Sequence, residues 1–246
     1  MIDVQALVNK HYDELVALRR YFHENPELSN VEDETCEYIQ KKLEEYGLRT
    51  EVVPHGGVFG FIENGPGKTV LLRTDIDALP IQEADTNLSQ KRACVSKKPG
   101  VMHACGHDGH MAMVLTEAKV LQEIKDQWSG RVIVMFERAE EGSDATQHLM
   151  PYMVKQHLDY CYGTHVRWDI PAGKIGVVHG AAMAGGFAFQ IKIKGHGGHG
   201  SRPDLSQSPI DCFHAFYGNL QAWRMRQINP SECLTISIGT VQAGSV

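Results

Sequence analysis

Apolar side chains recur at three- and four-residue spacing through Leu7, Val8, Tyr12, Leu15, Leu18 and Phe22, which predicts an amphipathic helix over Val4–Phe22 that stops before Asn25-Pro26. A second helix is predicted over Glu32–Tyr46, with Cys36, Ile39 and Leu43 facing inward and Gly47 as its stop. The period then shortens. Extended segments at Thr50–Val53, Val58–Ile62 and Val70–Arg73 are separated by Pro54, Gly56-Gly57 and the turn-rich Asn64-Gly65-Pro66-Gly67.

A polar, irregular stretch spans Glu83–Gly100. After it, helices predicted over His110–Ile124 and Asp144–Gln156 alternate with strands over Arg131–Phe136 and Asp159–Thr164. Strands alternating with helices define an α/β domain, a largely parallel mixed sheet flanked by helices. The small-residue run Gly180–Gly186 reads as a hinge, so the chain is divided into residues 1–180 and 181–246. The second part is predicted as a smaller α+β unit with a strand over Phe187–Lys194, a Gly-rich loop, a helix over Ser208–Arg226 and a strand over Leu234–Val241.

The 246 residues carry 24 Lys+Arg against 30 Asp+Glu, a net charge of −6 with no basic block, which argues against nucleic acid or an anionic membrane as partner. The longest apolar run, Val132–Phe136, is far below the roughly 20 residues of a spanning helix, and the first residues hold no apolar signal core. Six scattered cysteines in a chain of this length read as reduced thiols, and the expectation is a cytoplasmic protein.

Ligand-type side chains fall just beyond predicted strands: Asp75 and Asp77, Glu140 and Glu141, and His165. In open α/β sheets ligands bind outside the carboxyl ends of strands, so these groups can converge. A further cluster, His103-Ala-Cys105-Gly-His107-Asp108-Gly-His110, leads into the next helix. Cys105 and His107, one glycine apart, would share a side of an extended backbone and could grip a metal together. The adjacent carboxylates of Glu140 and Glu141 would point apart, one toward metal and one free to move a proton. Taken singly, each feature has an ordinary reading: a packed core histidine at His103, a helix-face residue at His110, turn caps at Asp75 and Asp77, a solvated acidic pair at Glu140-Glu141. The joint pattern is what points to a metal centre.

The strings LRRYFHENPEL, LLRTDIDALPIQE, GVMHACGHDGHMAMVL, AEEG, GTHV and GHGGHGSRPD, in that order, resemble the M20 metallopeptidase family and within it the amidohydrolases of N-acyl amino acids, of the hippurate hydrolase-like kind. The resemblance implies a zinc-peptidase-like catalytic domain with a lid and dimerisation domain. It implies two divalent metal ions (zinc, manganese, cobalt or nickel), with Cys105 bridging and His107, Glu141 and His165 as further ligands. Glu140 is implied as general base, and Asp77 as the residue that orients a ligand from behind. His199 matches the histidine that reaches from one subunit's lid into its neighbour's site, which implies a homodimer. Arg202 lies near His199 and reads as an exposed loop arginine.

Two features depart from the family pattern. Phe136-Glu137-Arg138 stands where the family has Gln and Pro before AEEG. The last histidine ligand and the final core elements of the family have no counterpart before Val246, so the expectation is a C-terminally truncated chain with an incomplete catalytic domain and lid. The implied function is metal-dependent hydrolysis of the amide of a small N-acyl amino acid. The alternatives are an inactive truncated member acting as a binding or structural protein, and a dipeptidase of the same family.

Overall fold

The structure, a computed structural model, describes residues 2–244 except 88, 143, 144 and 184. The chain divides into two compact units, Met1–Pro171 and Ala172–Val246, a division that falls ahead of the 180/181 boundary expected from the small-residue run.

In the first unit, helix α1 (Val4–Glu24) starts on Asp3, whose carboxylate accepts the Ala6 amide, and buries Leu18 and Phe22. Helix α2 (Asp33–Glu45) carries Asp33 and Glu34 in its first turn and Lys42 in its last, matching the helix dipole, and buries Cys36, Ile39 and Leu43. The strands β1 (Arg49–Val53), β2 (Gly57–Asn64) and β3 (Thr69–Asp75) follow. The stretch expected to be irregular contains a small hairpin of β4 (Thr86–Asn87) and β5 (Gln90–Lys91). Then come α3 (His107–Glu123), β6 (Gly130–Glu137), α4 (Thr146–Met153) and β7 (Tyr160–Gly163). Of the helix predicted over Asp144–Gln156, Asp144 lies outside the described residues, and the rest is α4 followed by a 3-10 turn, Val154–Gln156.

The main sheet has the order β1-β2-β6-β3-β7. Only β2 runs against the others: it is antiparallel to β1 and β6, whereas β3 is parallel to both β6 and β7. The period-two alternation explains the two cores. Val58 and Ile62 of β2 and Val132, Val134 and Phe136 of β6 pack with α1, α2 and α3; Phe59 and Phe61 of β2 and Ile133 and Met135 of β6 face the other way, toward Leu71, Ala145 and Leu149. The parallel strands β3, β6 and β7 all end at one edge, which places Asp75, the Glu137–Glu141 turn and His165 side by side.

The second unit holds α5 (Pro209–Gln227), with Ser208 accepting the Asp211 amide, Pro209 in the first turn and Arg224 and Arg226 in the last. His196 and Gln207 exchange backbone hydrogen bonds, and Pro203–Leu205 forms a 3-10 turn. The strands expected over Phe187–Lys194 and Leu234–Val241 are not formed. Residues 187–193 and 237–244 instead line an open groove together with Phe213 and Phe216. Alternating side chains suit a strand, but a strand also needs a hydrogen-bonded ladder, and neither segment forms one.

Candidate metal centre

Gly106 sets the geometry of the HACGHDGH loop. It takes the left-handed conformation (φ 91°) just before α3, so Cys105 and His107 do not lie on an extended backbone as the spacing had suggested. Helix α3 begins at His107, one turn before its predicted start. A bond from the His107 ring Nδ1 to the Asp77 carbonyl, at 2.8 Å, aims the other ring nitrogen, Nε2, into the site. That nitrogen is fully buried and has no hydrogen-bond partner. A buried imidazole nitrogen without a partner is costly unless a cation or a donor meets its lone pair.

His165 is set in the same sense. Its Nδ1 donates to the Val166 carbonyl at 2.6 Å, leaving Nε2 3.3 Å from the Cys105 sulfur. Cys105, His107 and His165 offer ligand atoms within 4.8 Å of one another, the separation of groups able to share one ion. Two further such sets occur among the described residues, Asp75 with His107 and His110, and Asp77 with His107 and Glu140.

Both glutamates of the AEEG turn face this imidazole, with Glu140 Oε2 at 3.9 Å and Glu141 Oε1 at 4.0 Å from His107 Nε2. They do not point apart. Ala139 takes a positive φ of 49°, which breaks the alternation expected of an extended strand end. The fully buried Glu32 holds this turn, accepting from the Ala139 amide at 2.7 Å and from Arg138 Nε at 2.9 Å. Arg138, which departs from the family pattern, thereby gains a buried partner, and Glu137 pairs with Arg73. Asp77 Oδ2 accepts from Ser29 and from the Glu141 amide, tying the turn to β3.

The electrostatics favour a cation. Burial and the nearby Glu141 push the Cys105 thiol up to about 12. Burial opposes the charged form of His107, yet Asp77 and Asp75 outweigh it and raise its pKa. Burial, followed by the Asp75 charge, raises Glu140 above the usual carboxylate range. Beside burial, the neighbouring carboxylates contribute to all three shifts, a negative charge that a metal ion would offset. Asp77 moves the other way. Its burial is outweighed by bonds from His107, Ser29 and the Glu141 amide, which keep it ionised.

His103 is the packed core histidine expected of it, held neutral at about 4 by burial. His110 is not an outward helix-face residue: it is buried, with its Nδ1 2.8 Å from Asp75 and its Nε2 accepting the Val166 amide at 2.9 Å. In the second unit, His199 is exposed and its Nδ1 accepts the Ser201 amide at 3.2 Å; Arg202 pairs with Asp204.

One buried group near the site escaped the sequence reading. His23 lies between Asp108 (2.7 Å from Nδ1) and Glu83 (2.9 Å from Nε2), a carboxylate at each ring nitrogen, which favours the imidazolium. The Asp108 bond raises its pKa against burial, and Glu83 adds to the rise. For Glu83, burial is outweighed by the Ser96 amide and His23, which lower its pKa. The His23 contribution to stability is complete below its ordinary value of 6.5 and is lost as pH climbs through the raised value. The Glu83 contribution is complete above 4.5 and is lost as pH falls through the lowered value. Thermal unfolding of His23→Gln should show a loss of about 3–5 kcal/mol near pH 6 and a flatter melting profile as pH rises above 6.5. Parallel profiles for variant and parent would contradict the assignment.

The fold and this cluster define an α/β domain with a candidate metal centre at the carboxyl edge of its sheet. Residues 71–238 match the model of peptidase family M20/M25/M40, and the chain belongs to that family. It is 35% identical over 251 residues to an N-acyl-L-amino acid amidohydrolase of Geobacillus stearothermophilus, covering 99% of this chain and 65% of that one. It is 37% identical over 238 residues to thermostable carboxypeptidase 2 of Saccharolobus solfataricus, covering 95% and 59%. A Bacillus subtilis structure, described as a dinuclear metal-binding peptidase of the M20 family, superposes with TM-score 0.64 at 37% identity, covering 70% of this chain and 48% of that one. The chain thus spans 59–65% of the length of these two curated relatives. Among the described residues, no helix is long and apolar enough to cross a membrane.

Proposed function

We propose that the protein is a metal-dependent amidohydrolase that cleaves the amide bond of N-acyl amino acids. The observation that carries this reading is the unpartnered, buried Nε2 of His107, facing Cys105, His165 and two glutamates.

In this reading Cys105, His107, Glu141 and His165 would hold the two divalent ions. Zinc, manganese, cobalt and nickel all suit such a donor set. Bound there, the ions supply Lewis acidity, easing deprotonation of water and polarising the acyl carbonyl. Asp77 orients His107 and, through the Glu141 amide, the glutamate turn. The proximity of Glu141 to the Cys105 thiol supports its place among the ligands. Glu140 is the more exposed of the two carboxylates, 40% against 27%, and its raised pKa suits a base. It takes the proton of the attacking water and returns it to the leaving amine nitrogen.

The role of His199 requires a homodimer, in which His199 of the partner subunit donates to the substrate carbonyl. Because the Nδ1 of His199 accepts from Ser201, its proton sits on Nε2, the nitrogen that can make that bond. The six free cysteines support a cytoplasmic location.

Peptide cleavage is the competing reading, favoured by the likeness to a carboxypeptidase. Assays of N-acetyl and N-benzoyl amino acids beside dipeptides, with and without chelator, separate the two. Chelator-sensitive release of free amino acid from the acylated substrates, with dipeptides cleaved poorly, is expected. Dipeptide cleavage alone, or no hydrolysis in either series, would overturn the proposal.

A further inference from the structure

The site contains a histidine that lies within reach of a metal and has no nitrogen free to bind one. Asp75, at the end of β3, is buried, with Oδ2 engaged by Arg73 at 2.8 Å and Oδ1 2.8 Å from His110 Nδ1. The Val166 backbone amide can only donate, and it meets His110 Nε2 at 2.9 Å, so Nδ1 of His110 carries the ring proton and Asp75 accepts it. Both ring nitrogens are used, which removes His110 from the set of ligands although it lies near Asp75 and His107.

Val166 follows His165 directly, and two more contacts bear on the same point. The His110 and His165 rings meet edge to face, 4.5 Å between centroids at 68°. A Cβ on Gly106 would lie 2.4 Å from Val166 Cγ2, so the HACGHDGH loop closes directly on this residue. The Val166 carbonyl in turn takes the His165 Nδ1 proton, which turns His165 Nε2 toward Cys105.

We infer that His110 is a positioning residue: with Asp75 fixing its tautomer, it captures the Val166 amide and thereby sets the rotation of His165 toward Cys105. This rests on the metal-centre reading above, but the arrangement belongs to the metal-free polypeptide and can be measured there.

Two measurements on metal-free protein come first. ¹⁵N NMR of the imidazoles should find His110 protonated on Nδ1, the minor tautomer of free histidine, and hydrogen exchange should find the Val166 amide protected. In His110→Ala that amide should exchange at least tenfold faster. In His110→Gln, whose side-chain oxygen can reach the Nε2 position, protection should return in large part.

Titration with Co²⁺ then follows the thiolate-to-metal absorption band of Cys105. His110→Ala should bind about 10–100-fold more weakly than the parent, and His110→Gln should recover most of the loss. Equal melting temperatures for the Ala and Gln variants would separate positioning from general packing. A His110 Nε2–H tautomer, an unprotected Val166 amide in the parent, or equal Co²⁺ affinity in His110→Ala would each overturn the inference. A parent with a protected Val166 amide but no Co²⁺–thiolate band would count against the metal reading while leaving the His110 arrangement standing.

Discussion

Gly106→Ala should weaken zinc binding by about 10–100-fold while lowering stability by only about 1–3 kcal/mol. The residue sits at φ 91°, where a side chain is strained, and the added methyl would meet Val166 at 2.4 Å. Relief requires Val166 to move away, and His165 goes with it, opening the 3.3 Å approach of its Nε2 to Cys105. Gly109 supplies the control. It lies in the first turn of α3 with open space where a Cβ would be, so Gly109→Ala should leave metal affinity unchanged. Zinc competition against a chromogenic chelator, beside thermal melts of both variants, reads the difference. Equal affinities for the two would show that Gly106 is only a turn residue.

Glu140→Gln should reduce turnover of an N-acyl amino acid by about 10²–10⁴-fold and leave metal content intact. The amide keeps the size of the side chain and cannot take a proton from water, so the loss isolates proton transfer. Glu141→Gln should differ in kind, lowering metal content together with rate. The pairing matters because the structure brings both carboxylates to about the same distance from His107. Metal analysis and kcat measured on one preparation of each variant distinguish the roles. Metal loss from Glu140→Gln, with metal retained in Glu141→Gln, would exchange the two assignments.

The parts of the fold that follow local rules were legible in the residues. The apolar stripe of α1, Gly47 after α2, and the apolar runs through Val58–Ile62 and Val132–Phe136 each express a local preference. What escaped depends on partners distant in sequence. His110 reads as a helix-face residue until Asp75 and Val166 close on it, and His23 gives no local sign of Glu83 or Asp108. The Cys105–His107 and Glu140–Glu141 pairs converge on one point, but through left-handed residues at Gly106 and Ala139 rather than through extended backbone. In the second unit, Phe187–Lys194 has the alternation of a strand and lacks the ladder, which alternation alone does not supply.

Shared ligation by a thiolate and imidazoles from separate stretches of chain is tested most directly by X-ray absorption at the zinc edge of zinc-loaded protein. A sulfur neighbour at about 2.3 Å with nitrogen neighbours at about 2.0–2.1 Å is expected, the sulfur disappearing in Cys105→Ser. A coordination sphere of nitrogen and oxygen alone, or a spectrum unchanged by Cys105→Ser, would contradict the placement of the metal.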